Sequence, residues 1–441
     1  MATVPNPQLA VRYTREQAAR SFGVIPVYTA VLLGYLMLLP PQVNLRVIGS
    51  LVPPYRLFLI AASIFIVASF IRGRFRFSWP DLAVAGATSW ICFAMFMTSA
   101  QGEAITASLA HIADVALAYF FARAAFGNLR DLRMFLLLML PGLFLVSIIM
   151  VLEAVTHTHI IQGIFSQITG RPVQYGSSPR LGLMRAQGPF PHPILAGIFL
   201  ISFMPLYWLA GFKPWTRLAG SFSAFCSFVT VSSATSLGLV ATIGVLAYGW
   251  LTKRVANLTW PLFFYAMATF IFVAELGTKS GTFALFVRYA SLNSASAYNR
   301  VLIWRYGSEN VAENPWFGIG YAEWTRPNWM SESMDNYWLL LAVRFGVPAS
   351  VLVAIATLLA LVMLMKKSTN SNPADADCER GVIIALAVFA LGMISVSLWL
   401  ATQVWFFVLL GLAVSLAHAG QNTTRQPYSS GYERASSSSR A

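Results

Sequence analysis

This chain of 441 residues is short of charge: Asp, Glu, Lys and Arg together make up 10% of it. A soluble globular surface carries about a quarter of its residues charged, so that class is excluded. Cysteine is also scarce, and Cys92, Cys226 and Cys378 lie in or beside apolar runs without CxxC spacing. Neither a disulfide framework nor a cysteine zinc site is expected. Acidic residues are few, 16 against 30 basic ones, for a formal charge of +14. The basic residues stand in ones to threes between apolar segments rather than on one face, so the excess reads as membrane topology and no nucleic-acid partner is expected.

What fills the chain instead is apolar: 57% hydrophobic residues, with 14% aromatics. Runs of spanning length fall near 24–40, 55–71, 81–98, 104–122, 133–152, 193–210, 218–235, 236–252, 259–276, 347–365, 382–400 and 402–418, about twelve in all. The expected fold class is therefore all-α, a polytopic transmembrane helical bundle. Residues 1–23, with Arg12, Arg15 and Arg20, read as a cytoplasmic segment ahead of a retained signal anchor. Residues 24–418 read as the membrane domain, and the Ser-rich stretch 419–441 as a disordered cytoplasmic tail. Lys and Arg recur at every second connection (Arg72/Arg74/Arg76, Arg123/Arg130/Arg133, Lys213/Arg217, Lys253/Arg254, Lys366/Lys367), which sets those loops and both termini in the cytoplasm. Two long loops, about 153–192 and about 277–346, then face the periplasm, where the chain has room for a site.

The first long loop, "RPVQYGSSPRLGLMRAQGPFPHPILAGIF", supplies Arg171, Arg180 and Arg185, then Gly188, Pro189, Pro191 and His192 at the lip of a span. Guanidinium groups bind phosphate oxygens in a bidentate fork, so this cluster suits an anionic phosphate ligand; solvated loop charge is the alternative. His192, between two prolines, is a base or a capped loop histidine. The second loop, "YNRVLIWRYGSENVAENPWFGIGYAEWTRPNWMSESMDN", places Arg300, Trp304 and Arg305 near one face of an amphipathic helix, a pairing suited to a phosphate and a sugar ring. Trp316, Trp324 and Trp329 fit an interfacial belt equally well. "NPWFGIG" reads as a helix stop and a tight glycine turn with an architectural role.

After it comes "SMDNYWLLLAVRFG", a helix of about twelve residues from Asp335 to Gly346, too short to span and therefore outer-face or re-entrant. His111 and Asp114, three apart within a span, are a proton relay or a self-satisfying pair. Ser232, Ser233, Thr235 and Ser236 form a hairpin tip that contacts a ligand or merely supplies the polar tip a membrane hairpin needs.

Three of these stretches resemble the bacterial O-antigen ligase and polymerase superfamily. "MRAQGPFPHPILAGIFL" is similar to its Arg…Gly-Thr-Phe…His-Pro-Asn motif at the start of a span. "NRVLIWRYGSENVAENPWFGIGY" is similar to its Arg…Trp…Asn-Pro stretch with two following glycines, and "DNYWLLLAVRFG" to its His-Asn-x-x-Leu…Gly motif. Asp335 stands where the ligases carry histidine, Arg344 where an acidic residue is common, and the hairpin reads Ser-Ser-Ala-Thr-Ser without the family's frequent arginine.

The resemblance implies a membrane glycosyltransferase acting on a polyprenyl-diphosphate-linked glycan donor and a glycan acceptor among membrane lipids, at the periplasmic face of the bacterial inner membrane. A flippase and a chain-length regulator are implied partners, and neither metal nor cofactor is expected. Polymerases vary more at the exchanged positions, so polymerisation of exopolysaccharide or O-antigen repeats is the first expectation. A ligase moving a finished glycan, and a secondary transporter of a small anion, are the alternatives. In the enzymatic reading Arg185 and Arg300 clamp the diphosphate, supported by Arg305 and Arg180, because cations stabilise the leaving group's charge. Asp335 is the general base. Trp304 and His192 contact substrate, while Asn336 orients a sugar or caps its helix.

Overall fold

A computed structural model describes residues 26–47, 50–73, 76–173, 179–277 and 294–419, so the N-terminal segment and the serine-rich tail expected from the sequence lie outside the described residues. The helices are α1 Pro26–Met37, α2 Pro54–Ile71, α3 Trp79–Thr98, α4 Gln101–Ala125, α5 Leu129–Thr156, α6 Ile160–Thr169 and α7 Pro193–Leu209. They continue with α8 Pro214–Phe225, α9 Ser233–Leu251, α10 Trp260–Gly277, α11 Ser294–Glu313, α12 Tyr337–Phe345, α13 Val347–Ser368, α14 Pro373–Gly392 and α15 Ala401–His418. Strands are confined, among the described residues, to an antiparallel hairpin of β1 Leu45–Val47 and β2 Ser50–Val52 between α1 and α2. The all-α polytopic class holds.

Among the described residues, eight helices are long and apolar enough to cross a membrane: α2, α3, α4, α5, α9, α10, α13 and α15. The other four expected spans also fall on helices, with two shifted in kind. The stretch near 218–235 is α8 followed by a 3-10 turn, Cys226–Thr230. The stretch near 382–400 begins instead at Pro373 and ends at Gly392. Asn372 caps α14, its Oδ1 accepting the Asp375 amide at 3.0 Å, and Pro373 occupies the first turn where no donor is missed. The charged residues of that first part, which hydropathy excludes from a span, are paired: Asp375 with Arg133 at 3.2 Å, Asp377 with Lys253 at 2.7 Å and Glu379 with Lys367 at 3.9 Å. These pairs tie three Lys/Arg-bearing connections together at one end of the bundle.

The same end holds the best-satisfied carboxylate. Asp81, fully buried, accepts from Arg123 Nε at 2.9 Å, from the Tyr119 hydroxyl at 2.8 Å, and from the amide and hydroxyl of Ser78 at 2.7 Å each. Arg123, expected as a topology-setting loop charge, is thus an internal fastener of α3 to α4. α15 is buried along nearly its whole length and forms the central post, packed against α4, α13 and α14.

At the opposite end the chain turns back on itself. Gly346 breaks the helix between α12 and α13 at φ +84°, and a Cβ there would stand 1.8 Å from the Trp316 carbonyl oxygen. The "NPWFGIG" segment lies against that break. The Ile319 and Gly320 amides donate to the Val343 and Arg344 carbonyls at 2.9 Å, and the Val347 amide donates to the Pro315 carbonyl at 2.8 Å. The Trp90 indole of α3 donates to the carbonyls of Trp316 and Phe345, at 3.1 and 3.0 Å. Gly346→Ala is expected to cost more than about 2 kcal/mol and to lower the melting midpoint of the detergent-purified protein. Gly244→Ala, with open space around its Cβ inside α9, should leave that midpoint unchanged or raised.

Candidate functional site

The site end is assembled from three stretches distant in sequence. The first is the lip before α7, and its anchor is Glu153, near the end of α5 and fully buried. Its carboxylate accepts from the backbone amides of Gly188 at 2.9 Å and of Gln187 and Ile161 at 3.3 Å. Gln162 of α6 adds a bond to the Phe190 carbonyl at 2.7 Å. The lip is therefore held by side chains beneath it, and Arg185 is held with it. Arg185 is 4% exposed, its Nε donating to the Thr230 carbonyl at 3.2 Å.

The second stretch is α11, which carries Arg300, 8% exposed, with a buried Nε that no described acceptor reaches. α11 is seated by a small core of Leu302, Ile303, Trp324, Met330, Leu339 and Val343, and Asn310 exchanges two hydrogen bonds with Thr325 at 2.9 Å. The third stretch is the head of α12. Asn336 caps it, its Oδ1 accepting the Leu339 amide at 3.0 Å, and the Tyr337 amide donates to the Met393 and Val396 carbonyls at 2.9 and 3.2 Å. Asp335, half-buried, is what this fixed head presents.

Arg185, Arg300 and Asp335, the three residues expected to do the chemistry, are thus brought within electrostatic reach of one another, with Arg180 beside them. No hydrogen bond or ion pair from a described residue closes on the Asp335 carboxylate. Burial raises the Asp335 pKa, and the charges of Arg300 and Arg185 pull it part of the way back. Burial lowers Arg185 to about 10, helped by the charges of Arg180 and Arg300 and opposed by Asp335. Arg300 is lowered by burial in the same way, with Asp335 opposing. Two dehydrated guanidinium groups beside one carboxylate, with the Arg300 Nε still without a described acceptor, make a seat for an anion carrying an ionisable neighbour.

Other expected residues fall differently. His192 caps α7, its Nδ1 accepting the Ile194 amide at 3.2 Å, and its ring lies 6.1 Å from that of Trp399. Asn336 is buried in its cap. Trp304 lies on the Arg300 side of α11 and is 46% exposed. Arg305 is a correction: five residues turn it about 140° away from Arg300, and it pairs instead with Glu309 at 3.6 Å on the exposed side. The His111/Asp114 pair is also corrected, because Asp114 takes Arg56 in a two-bond fork at 2.6 and 2.8 Å, while His111 Nδ1 meets the Ala107 carbonyl. Arg171 is a fastener whose guanidinium donates to the Gln42 and Asn44 carbonyls, and Trp324 is core.

Sequence reading missed Glu153, whose signal is a lone acid at the end of an apolar span. It also missed how deep the hairpin tip goes. The hydroxyls of Thr230, Ser232 and Thr235 are buried without a partner among the described residues, next to the carbonyl that holds Arg185, and Val231 among them stands at φ +43°.

Residues 218–354 match the family model described as O-antigen ligase. Over that segment the chain is similar to the O-antigen ligase family, which supports a place in the O-antigen ligase/polymerase superfamily. The match includes the hairpin tip, Arg300 and Asp335, and the fold adds Arg185 from outside it. Glycan transfer by a multi-pass membrane protein is what this family and the apolar helices support together. No curated protein matches the chain.

Sulfate, doubly charged across the working range, should bind this site more tightly as pH falls through the raised Asp335 pKa, because protonation removes the one competing negative charge. Asp335→Asn should bind it tightly at every pH, and Arg185→Ala at least tenfold more weakly, about 1.4 kcal/mol. Isothermal titration calorimetry across a pH series checks both.

Proposed function

We propose that the protein polymerises polyprenyl-diphosphate-linked oligosaccharide repeats into exopolysaccharide or O-antigen at the periplasmic face of the bacterial inner membrane. The observation that carries this reading is a carboxylate, Asp335, that no described residue pairs, set against two dehydrated arginines, of which Arg300 keeps its buried Nε without a described acceptor. In the reaction, an acceptor sugar hydroxyl attacks the anomeric carbon of the donor glycan. The new glycosidic C–O bond forms as the bond from that carbon to the diphosphate oxygen breaks. The hydroxyl proton passes to the Asp335 carboxylate, and the electron pair leaves with the polyprenyl diphosphate. Arg185 and Arg300 hold the charge that grows there, with Arg180 at the rim. Beside the lip, Met37, Pro53, Tyr55, Phe190, Pro191 and Leu400 line a small apolar depression.

Deletion of the gene should abolish high-molecular-weight polymer and leave single repeats on the lipid carrier. Long chains stranded on the carrier would instead establish a ligase, and unchanged glycans with altered solute uptake would sink both. Arg185→Ala and Asp335→Asn should each abolish polymer at normal protein abundance. Turnover by the purified enzyme should rise with pH as Asp335 ionises, opposite in sign to sulfate binding. Full activity of Asp335→Asn would remove the base assignment.

A further inference from the structure

The opposite end of α12 carries a second group of charges that this reaction does not use. Arg344 lies with its guanidinium 4.7 Å from the centre of the Tyr321 ring. Among the described residues no carboxylate comes within ion-pair distance of it. Beside Tyr321 stand His111, ring to ring at 6.5 Å, and the Arg56–Asp114 fork, and the charges of Arg56 and Arg344 are felt at both His111 and Tyr321. Two guanidinium groups against one carboxylate leave this cluster with a net positive charge, unlike the paired charges at the other end of the bundle. The hydroxyl of Tyr55, also within reach of Asp114, is buried and without a partner.

Helix termination does not explain Arg344. The last carbonyls of α12, those of Ala342, Val343 and Arg344, already accept from the amides of Gly346, Ile319 and Gly320. Burial lowers the Arg344 pKa, with Tyr321 opposing, so the guanidinium is held partly dehydrated without a counter-ion. Tyr321 is 49% exposed, which leaves an aromatic face open beside the cation. A guanidinium next to an exposed aromatic ring fits a phosphate that carries a sugar.

We propose that Arg344, Arg56 and Tyr321 form a second phosphate-binding site. It takes the phosphate of a second lipid-linked glycan or of an anionic lipid headgroup. From Asp335 to Arg344 is nine residues, about 14 Å along the helix axis, so the two phosphate sites flank α12. The inference deepens the polymerase reading and rests on it in one respect: joining two lipid-diphosphate-linked glycans brings two diphosphates to one enzyme.

The test is binding without turnover, so it is separable from the activity assay. The full chain in phosphatidylcholine nanodiscs is titrated calorimetrically with farnesyl diphosphate. Two equivalents are expected for the unmodified protein, one for Arg344→Gln and two for Arg344→Lys, with Arg185→Ala losing only the other equivalent. At the altered site the affinity should fall at least about tenfold. If phosphatidylglycerol in the discs displaces the Arg344-dependent equivalent, the site is a headgroup seat; if it does not, the site belongs to the second substrate. Both results support a phosphate site. An Arg344→Gln protein that melts like the unmodified one and still binds two equivalents overturns the second site and leaves the first intact. One equivalent in the unmodified protein, lost on Arg185→Ala and kept on Arg344→Gln, does the same. No binding to the unmodified protein overturns both.

Discussion

The pose of α12 is the constraint on which the site depends. A helix of nine residues has most of its backbone groups in its two end turns. Left unsatisfied near an apolar medium, each would cost several kcal/mol. The chain therefore brings partners from elsewhere: the Asn336 side chain at one end, and the 314–320 turn at the other. The carbonyls of Met393 and Val396 take the Tyr337 amide. Once those bonds are made, the positions of Asp335 and Arg344 are no longer free. The glycines follow from the same demand, since a side chain on Gly318 or Gly346 would meet the backbone of the facing segment.

Charge is divided between the two ends of the bundle by whether it is paired. At the end where Arg123 meets Asp81 and Arg133 meets Asp375, each carboxylate has a cation and additional donors, and the pairs fasten connections to one another. Breaking the buried Asp81–Arg123 pair would strand a charge at a cost of about 3–5 kcal/mol. At the other end Arg185, Arg300, Asp335 and Arg344 are dehydrated without being neutralised in pairs. Such an arrangement costs stability unless a ligand completes it, and incompleteness separates a site from a fastener.

Much of this was legible in the sequence, and the failures have definite physical causes. Arg185, Arg300 and Asp335 stood out because long loops need no charge for orientation, and charge there is free to serve something else. Arg305 is misplaced because a five-residue separation from Arg300 reads as near one face, while helical rotation carries it about 140° away. Asp114 was matched to the nearest histidine on its own helix, but its partner Arg56 comes from another helix, 58 residues away. Glu153 was passed over because its role is to gather amides of a loop about 34 residues on, a contact that exists only once α5 and α6 are in place. The start of α14 was misjudged because a hydropathy window rejects charges that the fold pairs.

The exchange of charges along α12 is the remaining step. The superfamily pattern puts histidine at the head of this helix and commonly an acid near its end; here an acid heads it and a cation ends it. Both positions of the exchanged pair agree with the helix macrodipole, which favours negative charge at the N-terminus and positive charge at the C-terminus by about 0.3–1 kcal/mol each. That gain is smaller than the several kcal/mol typically spent in taking an ion out of water. The dipole therefore makes the exchange tolerable without accounting for it. What offsets the larger cost at the head is the field of Arg185 and Arg300. At the tail no described carboxylate plays that part, and what the described residues set against Arg344 is the ring of Tyr321.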